Sequence, residues 1–393
     1  MQLNELITHL YENAPGFARR MRAAHLSPQQ VRTIEDLNAL PVIRKDDLTA
    51  IQAADPPFGG YLACQPGELK RIFQSPGPIY DPEARIADYW RWEEALTAAG
   101  FRPGDRVLNA FSYHLTPAGA MFEEGLWAIG CAVIPAGVGN QEQQVQVLHT
   151  LQVNGYVGLP SYLKALLDKA EGMGLELALN KAFVTAEPLP PSLRAELNGR
   201  GITVRQGYGT AECGNMGYEC EQEHGWHVPQ GLLLQVCDID TGEPLPNGET
   251  GEIIATLYNP NYALVRFGSG DLSSINSEPC PCGRDTPRLE GWQGRAGSAI
   301  KVRGIFLHPH QLAGVLSRFP EVQNYQALIT RHAHRDDLQI KIVCAPQVKP
   351  APLVERLQNA IQQSLKLRVE VTPVSKQAIP PDDPKVLDQR TWD

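Results

Sequence analysis

The 393-residue sequence contains no apolar run that approaches a membrane span. Its first residues, MQLNELITHLYENAPGFARRM, lack the apolar core of a secretory signal, so the cytoplasm is the expected compartment. Clustered basic charge is missing as well. With a formal net charge of −9, a nucleic-acid surface is not expected. The eight cysteines, in a long chain without an export signal, do not read as a disulfide framework. What is there is a folded, loop-rich composition: 42% hydrophobic residues with 35 Gly and 32 Pro, in a chain longer than one core usually supports. Two or more domains follow.

One stretch gathers the chemistry: Arg205–His227, RQGYGTAECGNMGYECEQEHGWH. Val204 closes the β-type run GITV, so Gly207 and Gly209 fall where a strand ends and the backbone turns. In an open α/β sheet, ligands lie beyond the carboxyl ends of the strands, and glycines there let a ligand approach the backbone. Glu212 then holds a cation, faces a ligand, or is simply an exposed turn residue.

Around this stretch the periodicities alternate. Residues 1 to about 70 read as helices and loops, with LNELITHLYENA and SPQQVRTIEDLNAL at helical spacing, the second behind Ser27. Ala84 to Ala99 has an amphipathic helical pattern. From DRVLNAF to ITVRQGYG, strand and helix patterns then alternate, with Gly130 as a helix stop; this predicts a largely parallel sheet covered on both faces. GLLLQVCDID and EIIATLYN read as strands joined by Gly, Asn and Pro turns, which predicts a small antiparallel subdomain. The last hundred residues read β, helix, β, β, helix, β. The fold class is therefore α/β. A large N-terminal domain (1–295) has mainly parallel sheets covered by helices and a small β subdomain at about 228–275. A small α+β domain occupies 296–393.

Cys220 and His227 have six residues between them, and the C-x-C pair Cys280 and Cys282 follows about fifty residues on, stiffened by Pro279 and Pro281. Three thiolates and an imidazole suit a closed tetrahedral structural Zn²⁺ site. The alternative is four reduced residues without metal, and His224 is the alternate nitrogen ligand. Cys213 lies too near the crevice to join, and Cys64, Cys131, Cys237 and Cys344 read as core or isolated thiols.

The blocks YGTAE (Tyr208 to Glu212), TAEP (Thr185 to Pro188), AVIPAGVGNQEQQVQ, GLPSYLKAL, RFGSGDL and CPCGRDTPRLEGWQGRAGSAIKVRG occur in one order from about residue 100 onward. Together they resemble the phenylacetate–CoA ligase branch of the adenylate-forming enzymes. The resemblance implies that Ala186, Glu187, Pro188, Gly207, Tyr208, Gly209 and Thr210 bind AMP, with Tyr208 stacked on the base. Asp271 and Arg295 would hold the ribose, Glu212 would hold Mg²⁺, and Phe111, Tyr113 and His114 would line the acyl pocket. For those three a core or capping role stays equally open. The implied cofactors are ATP, Mg²⁺ and CoA. The implied partners are a small carboxylic acid and a CoA or carrier-protein thiol, with room for a homodimer.

Three segments depart from that family. Its Ser/Thr/Gly phosphate loop, ending in Gly-Lys-Pro, is replaced by IFQSPGPIYDPEA. Here Pro76 and Pro78 donate no N–H, there is no Lys, and Asp81 and Glu83 bring charge that repels a triphosphate. Gly297 and Ser298 stand where the family has a hinge acid. In the tail IPPDDPKVLDQR, Asp382 falls at the position of the catalytic lysine, and Lys385 is the nearest cation. Two readings follow: an enzyme that activates a carboxylic acid through an acyl-adenylate, or a homologue that binds nucleotide or aromatic acid without turning over ATP.

Overall fold

The computed structural model describes residues 1–75, 77–296, 300–303, 305–307, 309–332, 335–365, 367–380 and 383–390. Pro76, Gly297, Ser298 and Asp382 lie outside them. The chain divides into two compact units, Met1–Leu189 with Arg194–Ala296, and Pro190–Leu193 with Gly297–Asp393.

The first unit opens with helices Leu3–Asn13 and Pro15–Ala23. Leu3, Leu6, Ile7 and Leu10 recur at i, i+3, i+4 and i+7, and all four are buried. The second helical pattern breaks into a short 3₁₀ turn at Pro28–Gln30 and a four-residue helix, Ile34–Leu37. Thr33 caps the latter by accepting from the Asp36 amide. Strand β1 (Ile43–Arg44) leads into helix Lys45–Ala54. The segment in place of a phosphate loop is a β-hairpin, β2 (Arg71–Ser75) against β3 (Ile79–Glu83). The amphipathic pattern at 84–99 yields helix only at Glu93–Ala98. The backbone breaks at Asp88 and Arg91, both at positive φ.

Strands β4 (Arg106–Asn109), β5 (Ala132–Pro135), β6 (Gly155–Gly158), β7 (Lys181–Val184) and β8 (Thr203–Thr210) form the parallel sheet the alternation predicts. Gly130, at φ 94°, ends helix Ala118–Ile129 between β4 and β5. The sheet then turns antiparallel through β9 (Gly214–Tyr218) and β10 (Trp226–His227). Trp92, Phe111, Phe122 and Phe183 pack on it as one aromatic cluster, with ring centroids 4.4–6.0 Å apart. Burying a side chain of this kind contributes about 1.5–3 kcal/mol.

A second sheet runs through β11 (Leu232–Cys237), β12 (Gly251–Leu257) and β13 (Phe267–Ser273). It is not purely antiparallel. β1, from two hundred residues upstream, joins β13 in parallel, so the N-terminal helices share this subdomain's core. Short strands β14 (Ile275–Asn276) and β15 (Arg288–Leu289) extend the nine-stranded sheet, and β16 (Gly294–Arg295) returns to pair with β13.

The second unit holds a hairpin, β17 (Ile300–Val302) and β18 (Ile305–Leu307), beside a four-stranded sheet. That sheet comprises β19 (Val322–His332), β20 (Arg335–Cys344), β21 (Glu370–Pro373) and β22 (Val386–Asp388), in the order β21-β20-β19-β22. Helix Pro350–Leu365 buries Leu353, Leu357, Ile361 and Leu365 in this unit's core. The sequence pattern gives neither β18 nor β22, which are three residues each. Among the described residues, no helix is long and apolar enough to cross a membrane.

Candidate active site

The ends of β7 and β8 are tied together: the Thr185 hydroxyl donates to the Gly207 carbonyl at 2.6 Å. Ala186 follows at φ +70°, a strained value for a residue with a Cβ. Glu187 Oε2 accepts from the Ser161 hydroxyl at 2.6 Å, and Pro188 is half-buried beside it. Gly207 and Gly209 have a reason other than ligand approach. A Cβ on Gly209 would lie 2.2 Å from the Gly214 carbonyl oxygen, and one on Gly207 would lie 2.5 Å from the Phe183 ring. The tight β8–β9 hairpin requires Gly209, and the Phe183 ring on β7 leaves no room for a side chain at Gly207.

Tyr208 on β8 and Asp271 on β13 meet below this rim. The Tyr208 hydroxyl donates to Asp271 Oδ2 at 2.8 Å, and the tyrosine ring stacks on Trp226 at 5.6 Å and 10°. Burial pushes the Tyr208 phenol well above its ordinary pKa, so it stays a donor. Asp271 Oδ1 accepts from the Trp292 indole at 3.0 Å, and Arg295 Nε lies 3.1 Å away in an ion contact. Asp271, 4% exposed, is thus held by three donors carried on three different strands or loops.

Glu212 is not an exposed turn residue. It is 2% exposed, and Lys45 Nζ stands 2.6 Å from its Oε1. Thr210 builds the turn by accepting from the Cys213 amide at 3.1 Å. Burial pushes the Glu212 carboxyl up, but the Lys45 ammonium outweighs it, so the group sits below its usual range. Asp81 on β3 is fully buried. Its burial and the Glu212 charge hold it well above the ordinary aspartate value. Among the described residues, neither Asp81 oxygen nor the buried Ser75 hydroxyl has a hydrogen-bond partner. Glu83, expected to repel a ligand, is neutralised instead: Arg71 Nη1 contacts it at 2.9 Å, and Lys70 and Arg71 also pair with Glu124.

The other expected site residues are more scattered. Phe111 is buried, stacked on Phe122 at 4.6 Å. Tyr113 is half-buried, its hydroxyl donating to Glu123 at 2.7 Å and accepting from Asn109 at 2.9 Å, while His114 is exposed. Lys385 lies in the second unit, where its ammonium donates to Asn324 at 2.5 Å and sits over the Tyr325 ring. Its carbonyl is fixed by the Ala327 amide, which locks the register of β22.

Cys220, His227, Cys280 and Cys282 converge, with one ligand atom from each lying within 4.8 Å of all the others. Cys220 and Cys280 sulfurs are 3.8 Å apart, and Cys282 Sγ is 3.4 Å from His227 Nε2. Zinc–ligand lengths of about 2.3 Å for sulfur and 2.0 Å for nitrogen put tetrahedral edges at about 3.8 and 3.5 Å. The set fits. His227 Nδ1 faces the Thr286 hydroxyl at 3.1 Å, which leaves Nε2 for a metal. Two residues that pattern reading passes over are Lys45 and Trp292. Lys45 stands 167 positions before its partner in an ordinary helix start, and nothing in its spacing marks it. Trp292 follows the cysteine turn as one aromatic in a loop.

This fold and this pair of strand ends define an AMP-binding enzyme. The AMP-binding enzyme family matches residues 84–259, and its C-terminal domain matches residues 304–390. The chain is 31% identical over 360 residues to the phenylacetate–coenzyme A ligase of Thermus thermophilus, covering 87% of this chain and 79% of that one. It is 27% identical to the Aromatoleum evansii phenylacetate–coenzyme A ligase, over 95% and 88% of the two chains. A crystal structure of 2-hydroxyisobutyryl-CoA ligase in complex with 2-HIB-AMP and CoA is similar at a TM-score of 0.90 and 26% identity, covering 99% of this chain and 88% of that chain. The chain belongs to the phenylacetate–CoA ligase family of adenylate-forming enzymes.

Proposed function

We propose that the chain activates a carboxylic acid with ATP, forming an acyl-adenylate and pyrophosphate, and then passes the acyl group to CoA or a carrier-protein thiol. The observation that carries this reading is the convergence of Tyr208, Asp271 and Arg295 beyond the carboxyl ends of the parallel strands. A carboxylate with two acceptor oxygens suits a ribose diol. In this reading Ala186, Glu187 and Pro188 with the Gly207–Thr210 segment flank the adenine, and Tyr208 offers the base the ring face opposite Trp226. Phe111, Tyr113 and His114 belong to the acyl pocket, for which an aryl or aryl-acetic acid is proposed.

Glu212 would hold Mg²⁺, whose charge neutralises phosphate. The buried carboxylates of Glu212 and Asp81 beside the buried Ser75 hydroxyl, with the Lys45 ammonium on Glu212, are hard oxygen donors that support a cation there. The Cys220, His227, Cys280 and Cys282 set would hold a structural zinc, pinning the loop after β9 to the turn before β15. Purified protein should carry about one zinc per chain; a content below about 0.2 removes the cluster from this reading. The C-terminal residues 296–393 are proposed as a mobile domain that presents Lys385, in a cytoplasmic protein with room for a homodimer.

A second reading has specific support. A proline-closed hairpin replaces the phosphate loop, and Lys385 is already engaged by Asn324 and Tyr325. Such a chain would bind nucleotide or aromatic acid without turning over ATP. Pyrophosphate release with a panel of aryl, aryl-acetic and hydroxy acids separates the two. Activity that falls in Glu212→Gln and Lys385→Ala supports the ligase. Binding by calorimetry with no release from any acid supports the second.

A further inference from the structure

Each oxygen of Asp271 already has a donor before any ligand arrives. The donor on Oδ2, the Tyr208 hydroxyl, is buried and stacked on Trp226. Oδ1 has two contacts that differ in kind: Arg295 Nε lies 3.1 Å away in an ion contact, whereas the indole donor, Trp292, is 38% exposed and sits on the loop between β15 and β16. A tyrosine hydroxyl deprived of its acceptor in the core is costly, whereas an exposed indole N–H that lets go finds water. The two oxygens of Asp271 are therefore unequal. Oδ1 is the one with an exchangeable donor, since the indole can leave while the Arg295 ion contact stays, and a ribose hydroxyl needs an acceptor site there to engage both carboxylate oxygens.

We propose that Trp292 is a placeholder at Asp271: its indole N–H fills the acceptor that a nucleotide's ribose hydroxyl takes, and it yields when the nucleotide enters. The inference rests on the adenosine reading above and adds a residue to it. Trp292 is a positioning residue, acting through Asp271. In the empty protein it keeps a buried carboxylate satisfied, at the cost of some nucleotide affinity. The loop has the freedom this requires, since Gly291 and Gly294 flank the tryptophan at φ 98° and 138°.

The test uses the whole chain and AMP. Among the indole N–H signals of the six tryptophans, the one missing in Trp292→Phe belongs to Trp292. In the free protein it should lie at a strongly hydrogen-bonded shift, and titration with AMP should move it to a water-exposed shift. Calorimetry of Trp292→Phe should show AMP bound about three- to tenfold tighter, the equivalent of one net hydrogen bond no longer broken. A stationary indole signal while AMP binds overturns the inference, as does AMP binding more weakly to Trp292→Phe, which would make the indole a direct ligand contact. AMP binding to neither protein would instead defeat the adenosine reading itself. A thermal melt of Trp292→Phe matching wild type shows that the comparison is between folded proteins.

Discussion

Two buried aspartates in one unit have opposite surroundings. Asp271 is met by Tyr208, Trp292 and Arg295. Asp81, on the hairpin β2–β3, has no well-formed hydrogen bond among the described residues, only the nearby Ser75 hydroxyl, and faces the charge of Glu212. Each is at most 4% exposed, so solvation does not distinguish them. The donors do. A buried carboxylate with aimed donors is a preorganised recognition element, while one without them is held only by what its neighbours force on it. The first region has the donors and acceptors that the proposed nucleotide site calls for, and the second lacks the donors of a phosphate loop among the described residues.

The largest effect is expected from breaking the satisfied side. Asp271→Ala removes the one acceptor that the buried Tyr208 hydroxyl, the Trp292 indole and the Arg295 guanidinium share, which should cost about 2–4 kcal/mol in chemical denaturation. AMP affinity should fall by at least about tenfold in the same variant. Unchanged stability would mean the three contacts are incidental. Next comes Lys45→Met, which removes the ammonium beside Glu212. Because 18% of the Lys45 side chain is exposed, the loss should be about 2–3 kcal/mol, below that of a fully buried pair. It should grow as pH rises, because Glu212 then ionises without its partner.

How much of this is legible in the sequence depends on the range of the signal. The β4–β8 alternation is local and reads directly, as does the Gly130 stop. The Cys/His cluster reads because thiols and imidazole at such spacings have few other uses, and the fold brings all four together. Long-range pairings do not read. Lys45 meets Glu212, and β1 joins β13, through tertiary contacts that leave no period in either segment. Asp88 and Arg91 break an amphipathic pattern at 84–99 through left-handed backbone, which residue type alone does not announce. The reasons for Gly207 and Gly209 do not read either, because they lie in the Phe183 ring and the Gly214 carbonyl, which only the folded sheet brings close.

The smallest effect, and the sharpest on the comparison, is expected from Asp81→Asn. Asp81 is held well above its ordinary pKa, first by burial and then by Glu212, with the Ser75 hydroxyl and then Lys45 opposing. Tyr262 and Tyr89 also lie within its electrostatic reach. A carboxyl whose folded pKa exceeds its unfolded value contributes stability that is complete below the unfolded value and is lost as pH rises through the folded value. The neutral amide has no such loss. Wild type and Asp81→Asn should therefore melt alike in acid, and the variant should gain up to about 1 kcal/mol toward mildly alkaline pH. In the Lys45→Met background that gain should widen, because two carboxylates then face each other with the ammonium gone. A difference constant across pH would mean that Asp81 is already ionised and satisfied, which would remove the contrast with Asp271.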